Sequence, residues 1–304
     1  MKRNFDFIKT RKICVIVSLC ILALGLLFNL IFGTKLDVEF SGGTLIRYSY
    51  EGTVDQAAVQ EVARRVLGNE ATVTLENVDN TDVASVSLAK EITLETQTEL
   101  NKAVTEAFPG SKQFSANTLS ATMGHLFFIK CIVAVVLAAA LLLVYVGLRF
   151  RKIGGLSAGA FALLALLHDL LICYFVFVVF RIELNDNFVA VLLTILGYSL
   201  NDTIVIFDRV RENRRRNKTM PISEVVNLSV NQSFTRTLIT TIAVFIAIAT
   251  VVVVGLVMRI DSILSFALPM LFGVVSGFYS SVFLASPLWA WWRENHAEKA
   301  KKKA

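Results

Sequence analysis

Apolar positions gather into six long runs, Ile13–Phe32, Leu126–Leu148, Ile153–Phe180, Phe188–Phe207, Leu238–Met258 and Ile263–Trp292. Each is near or above the roughly 20 residues that a helix needs to cross hydrocarbon. The third and sixth exceed the bilayer thickness and must tilt or protrude. Between the first two runs the pattern changes to that of a soluble domain. Ile46, Tyr48 and Tyr50 alternate as in a half-buried strand. Thr53 and Gln56 have capping-box spacing ahead of Ala58, Val59, Val62, Ala63 and Val66, which recur at helical spacing until Gly68. Ala71–Val78 and Val83–Leu88 alternate again across the turn-prone Asp79-Asn80-Thr81-Asp82. Leu94–Phe108 reads as a second helix halted by Pro109-Gly110, and Lys112–Thr118 as a last strand. The order is βαββαβ, a ferredoxin-like pattern.

The pattern therefore predicts a polytopic α-helical membrane protein. A basic N-terminus covers 1–12 and the first transmembrane helix 13–33. An extramembrane linker and ferredoxin-like domain covers 34–125, a five-helix transmembrane bundle 126–292, and a basic tail 293–304. Composition agrees: 55% of residues are apolar and only 18% charged, too apolar for a soluble domain of this size. The first run is too long for a secretory signal core and lacks a small-residue cleavage site, so it reads as an uncleaved anchor.

Charge adds an orientation. Of 30 Lys and Arg residues, 19 lie in the N-terminus, Arg149–Lys152, Asp208–Glu224 and the tail from Arg293. Six crossings put these four segments on one side. The two short connections opposite carry one basic residue each, Arg181 and Arg259. The asymmetry places both termini in the cytoplasm and the ferredoxin-like domain outside it. The net charge of +6 is thus a topology signal that meets anionic headgroups, and nucleic acid is not an expected partner. The basic cluster Arg209–Lys218 has a second reading as a partner-docking site.

Candidate chemistry is sparse. Cys14, Cys20, Cys131 and Cys173 fit neither a disulfide framework nor a zinc site and read as buried apolar thiols, and His125, His168 and His296 lack metal-ligand spacing. No metal or catalytic nucleophile is expected. Gly155-xxx-Gly159 and Gly273-xxx-Gly277 mark places where helix backbones can approach closely. Only one copy of the layout is present, so a pseudo-symmetric transporter would need a partner subunit.

The informative residues are ionisable groups inside spans, which are costly in hydrocarbon. Asp202 lies about 21 Å below the outer end of the fourth span at 1.5 Å per residue. Ser199, Asn201 and Thr203 are its neighbours. In the fifth span Gln232, Arg236 and Thr240 recur four apart beside Thr237, as the wall of a hydrated path would, with Arg236 at the depth of Asp202. These residues read as a proton relay, Asp202 and Arg236, supported by Ser199, Asn201, Thr203, Thr237 and Thr240. For Asp202 the alternative is a structural pair with a neighbouring helix, and for Arg236 it is snorkelling to the interface. His168-Asp169 in the third span is either a second protonatable station or a structural pair bonded to Ser or Thr of other helices.

Three segments carry a family resemblance. They are Leu36–Thr44 with its acidic residues and double glycine, GYSLNDTIVIFDRVREN from Gly197 to Asn213, and SVNQSFTRTLITT from Ser229 to Thr241. Nearly the whole chain resembles the SecF side of the SecD/SecF family, within the RND superfamily; Glu39 stands where the family's usual Asp precedes the aromatic. The resemblance implies half of an RND-type fold completed by a SecD-like subunit. It implies use of the proton-motive force to promote export of secreted polypeptides through a SecYEG-type channel in the bacterial cell membrane, with YidC-like and YajC-like proteins as further partners. It maps the key acid and arginine onto Asp202 and Arg236, and it implies no cofactor, with the proton gradient, or a sodium gradient, as the driving force. Gly42 and Gly43 read as a hinge to the outer domain. The rival readings are a proton-coupled exporter of lipids or small molecules, an assembly subunit that transports nothing, and an intramembrane enzyme.

Overall fold

The computed structural model describes residues 5–50, 54–78, 81–119, 121–258 and 260–303. Lys2 and Arg3 of the basic N-terminus, and Thr53, Asp79, Asn80 and Arg259, lie outside them. Among the described residues six helices are long and apolar enough to cross a membrane. The first is α1 (Phe7–Phe32), which takes in Lys9, Arg11 and Lys12 ahead of the apolar run. After the extramembrane domain come α5 (Ala121–Arg149), α6 (Gly155–Val179), α7 (Asp186–Arg216) and α8 (Ile222–Met258). The sixth crossing is composite: α9 (Asp261–Tyr279), a π-helical turn at Ser280–Ala285, and α10 (Ser286–Lys303).

Helices α6 and α7 form the centre of the bundle, with α1, α5 and α8 at its rim. Glycine sets the closest approaches. Gly155 meets the backbone of Gly147 on α5, and Gly159 sits beside Leu143. On α9, a Cβ at Gly273 would lie 2.6 Å from Ile195, and one at Gly277 would lie 2.9 Å from Ser199 Cβ. Both small-residue pairs are thus helix-packing sites, and Gly277 lets α9 reach the polar centre of α7. Of the cysteines only Cys173 is buried; Cys20 faces outward from α1, where an apolar thiol suits lipid as well as a core.

The extramembrane domain is a four-stranded antiparallel sheet in the order β2-β3-β1-β4. Its strands are β1 (Gly43–Tyr50), β2 (Thr72–Val78), β3 (Thr81–Leu88) and β4 (Lys112–Leu119). Helices α3 (Gln56–Leu67) and α4 (Leu94–Ala107) cover one face. The alternation read in the sequence is the physical cause: Ile46, Tyr48, Tyr50, Val73, Ala84 and Val86 are buried against Val59, Leu100 and Val104. Asp55 caps α3, accepting from the Ala57 amide, where the sequence pointed to Thr53. An aspartate oxygen adjacent to the first turn takes the same role.

One element was not legible. Val38–Ser41 forms a short helix, α2, in what reads as a linker. Phe40 packs against Phe127 and Phe128, and Gly124 of α5 lies within 3.0 Å, counted from its Cβ position, of the Phe40 carbonyl oxygen. Gly42 (φ +76°) and Gly43 (φ +136°) then turn the chain into β1. A side chain at Gly43 would strike the Leu88 carbonyl, so glycine is required there. The preceding residues are tied to the α6–α7 connection, since Asp37 N–H donates to Leu184 O and Leu184 N–H donates to Lys35 O.

The uncovered sheet face looks towards the bundle across a crevice of about 550 Å³. Arg47, Ser85, Asp37, Glu183 and Asn185 line it. Burial pushes the Asp37 carboxyl above its ordinary value, against the Val38 amide bond, with Asp186 adding to the rise and Arg47 opposing it. Glu183 is raised by burial and by Asp37, against Lys35. A carboxyl raised on folding contributes stability that is complete below its unfolded value, about 4. That stability is lost as pH rises through the folded value. The thermal midpoint of the purified chain is therefore expected to fall as pH rises from about 4 through the folded values of these two carboxyls. Asp37→Asn with Glu183→Gln should flatten that decline, as read by thermal unfolding in detergent.

Candidate functional site

Two buried aspartates lie in the bundle, and their surroundings are opposite. Asp169 on α6 is fully buried. Its Oδ2 accepts from Ser199 Oγ of α7 at 2.6 Å and from Ser280 Oγ of the π-helical turn at 2.6 Å. Its Oδ1 accepts from Ser276 Oγ of α9 at 2.6 Å and faces His168 Nδ1 at 3.1 Å. Four polar groups thus fill the four acceptor positions of one carboxyl. The π-helical turn widens the backbone where Ser280 and Ser281 must point inward, a use such turns often have. Ser281 Oγ donates to the Ser199 carbonyl at 3.1 Å and shares a hydrogen bond with Thr203 Oγ1 at 2.8 Å. One carboxyl thereby ties α6, α7 and the sixth crossing together.

Asp202, eleven helical positions past Val191 on α7, is 3% exposed, yet its Oδ2 has no hydrogen-bond partner. No ion pair joins it to Arg236. The guanidinium of Arg236 lines a basin with Val205, Asp208 and Arg209, below Asp202 on α7. Facing α7 from α8 is a buried stripe of Ser229, Ser233, Thr237 and Thr241. The Tyr198 hydroxyl reaches Thr241 Oγ1 at 3.4 Å. A buried carboxyl oxygen without a hydrogen-bond partner leaves an acceptor position open.

The relay support expected from the sequence divides. Thr203 and Thr237 are buried, Thr203 Oγ1 sharing its hydrogen bond with Ser281 Oγ and Thr237 Oγ1 donating to the Ser233 carbonyl at 3.2 Å. Ser199 is committed to Asp169 instead, because its Oγ leaves α7 towards α6. Asn201 and Thr240 are exposed on the bundle's flank, as are Gln232 and Arg236. The expected inner wall Gln232–Arg236–Thr240 is therefore one helical position off: the inward stripe is Ser233–Thr237–Thr241. Thr240 folds back on its own helix, donating to the Thr237 carbonyl at 2.9 Å. For His168 and Asp169, bonding to serines of neighbouring helices is what the geometry contains. Ser276, Ser280 and Ser281 were missed; their signal was the Ser276/Ser280 spacing of four, adjoining Gly277.

The two aspartates should respond differently to substitution. Asp169→Ala strands three buried serine hydroxyls and should lower unfolding stability by about 3–5 kcal/mol. Asp202→Asn breaks no hydrogen bond and should change it by less than about 1 kcal/mol. Thermal unfolding of the purified variants reads both, and equal losses would contradict the assignment.

Comparison with known proteins gives this arrangement a family. Residues 99–295 match the family described as "Protein export membrane protein SecD/SecF, C-terminal". A protein translocase subunit SecF of Alicyclobacillus acidocaldarius is 34% identical, covering 99% of this chain and 96% of its own. The protein translocase subunit SecDF of Bacillus subtilis is 29% identical over 98% of this chain, which spans only 39% of that protein. The crystal structure of SecDF from Thermus thermophilus, a translocon-associated membrane protein, superimposes with a TM-score of 0.80 at 27% identity. That match covers 96% of this chain and 39% of the other. The chain belongs to the SecD/SecF family of protein export membrane proteins.

Proposed function

We propose that this chain is the SecF-type half of a proton-driven accessory complex of the Sec translocase. The observation that carries the reading is Asp202, a buried carboxyl without a hydrogen-bond partner, above an arginine-lined basin that opens away from the outer domain. In this mechanism Asp202 takes up a proton from one face and releases it to the other. Arg236 sets the balance between its two states through space. Thr203 and Thr237 flank the path, and water carries the proton between them. Asp169, with its serines and His168, holds α6, α7 and the sixth crossing as one frame, so that the protonation step is expressed as movement and not as local repacking.

The partner is a SecD-like subunit. The Bacillus subtilis relative carries both names in one chain, and this chain matches only part of it. Asn201 and Thr240, polar groups exposed at membrane depth, are suited to a protein neighbour and not to lipid. The concentration of basic residues in four segments supports an orientation with both termini in the cytoplasm of a bacterial cell and the ferredoxin-like domain outside its membrane. Movement reaches that domain across the Gly42–Gly43 corner, which joins α2, packed on α5, to β1. The domain then acts on a polypeptide leaving a SecYEG-type channel, with YidC-like and YajC-like proteins as further neighbours.

The test is export into inverted membrane vesicles carrying Asp202→Asn, with and without an imposed proton gradient. Gradient-dependent export should fall to the level seen without a gradient, while ATP-driven export at zero gradient stays unchanged. Gradient-dependent export equal to wild type would refute the relay. Replacing the proton gradient by a sodium gradient identifies the coupling ion.

A further inference from the structure

Besides Arg236, the basin beneath Asp202 holds arginines to which the relay gives no role. It encloses about 610 Å³ between the lower halves of α7 and α8. Arg209, Arg211, Arg215, Arg216 and Arg236 line it, against the two carboxylates Asp208 and Glu212, which leaves three net positive charges. Both carboxylates are shared. Glu212 pairs with Arg209 at 2.6 Å and Arg216 at 2.7 Å, while Asp208 pairs with Arg211 at 2.9 Å and Arg149 at 3.0 Å. Among the described residues no carboxylate lies within 4.0 Å of Arg215 or Arg236. Guanidinium groups converging on a cavity are matched to phosphate oxygens.

Position selects the source of the phosphate. The apolar stretch of α7 ends at Phe207, so the basin opens at the level where the headgroups of one leaflet lie. Directly above it, α8 presents an apolar track to the outside: Ile239 is 61% exposed, Ile242 47% and Ile246 59%. Arg236 is one turn from Ile239, so a cationic basin runs without a break into a hydrocarbon-facing stripe. A free phosphate would use the first feature alone. A phospholipid uses both, its phosphate in the basin and an acyl chain along the isoleucines. The geometry points to a specific binding site for one anionic phospholipid, with its phosphate held by Arg215, Arg216 and Arg236.

The test is direct and does not depend on the relay. The purified full chain is reconstituted with phosphatidylglycerol or with phosphatidylcholine, and retained lipid is counted by native mass spectrometry. Phosphatidylglycerol should be retained in preference. Arg215→Gln with Arg216→Gln should weaken retention about 25-fold, at roughly fivefold per arginine. Glu212→Gln, which frees Arg209 and Arg216, should strengthen it about fivefold; a misfolded variant cannot gain affinity. Equal retention of the two lipids, or retention unaffected by both variants, overturns the site. Displacement of phosphatidylglycerol by an equal concentration of inorganic phosphate would make it a free-anion site and overturn the lipid assignment. Loss of a co-purifying protein in the double variant, with lipid retention unchanged, would assign the basin to a protein partner and overturn it likewise.

Discussion

A single carboxyl in hydrocarbon must find donors or disrupt its surroundings, and Asp169 finds three serine hydroxyls in three other segments, with His168 of its own helix beside them. Each bond is made where water cannot compete, so each weighs more than it would at a surface. The consequence is geometric. Ser199 fixes the rotation of α7 about its axis, Ser276 fixes α9, and Ser280 fixes the π-helical turn. Gly277 permits the close approach that brings these hydroxyls within reach. The glycine pairs and the polar centre are therefore one device: small residues bring the helices together, and the carboxyl holds them in register.

That device explains the isolation of Asp202. The hydroxyl three residues before it on α7 turns to Asp169, and Thr203 turns to Ser281. Donors that a helix-by-helix view would give to Asp202 are occupied elsewhere. What remains is a carboxyl inside a rigid frame, with a strip of hydroxyls on α8 opposite and a cationic basin below. An unpaired carboxyl of this kind is stable only while the frame prevents collapse around it. Its solvation can then change with small shifts of α8 or of a partner chain.

The parts that followed from the sequence were those written in strong periodicity. Long apolar runs gave the six crossings, and strict alternation at Ile46, Tyr48 and Tyr50 gave the sheet's buried face. Asp202 was visible because an acid in an apolar run is rare. The remaining features rest on information that periodicity does not carry. In SVNQSFTRTLITT polar residues surround the helix, so spacing by four fits two adjacent stripes, and tertiary packing chose Ser233–Thr237–Thr241 over Gln232–Arg236–Thr240. Ser199 points to α6 and not to its own helix's aspartate, which no helical wheel decides. Ser276 and Ser280 are more than 100 positions from Asp169, and a serine in a membrane helix carries little signal alone. The four residues of α2 are too few for any pattern.

The central claim is that the two buried aspartates have divided labour, Asp169 structural and Asp202 reactive. A hydrophobic carbodiimide, which modifies available carboxyl groups in apolar surroundings, distinguishes them most directly. The purified chain in lipid would be treated, digested and mapped by mass spectrometry. The account requires an adduct on the peptide containing Asp202, abolished by Asp202→Asn, with Asp169 unmodified. An adduct on Asp169 with Asp202 unmodified would contradict it.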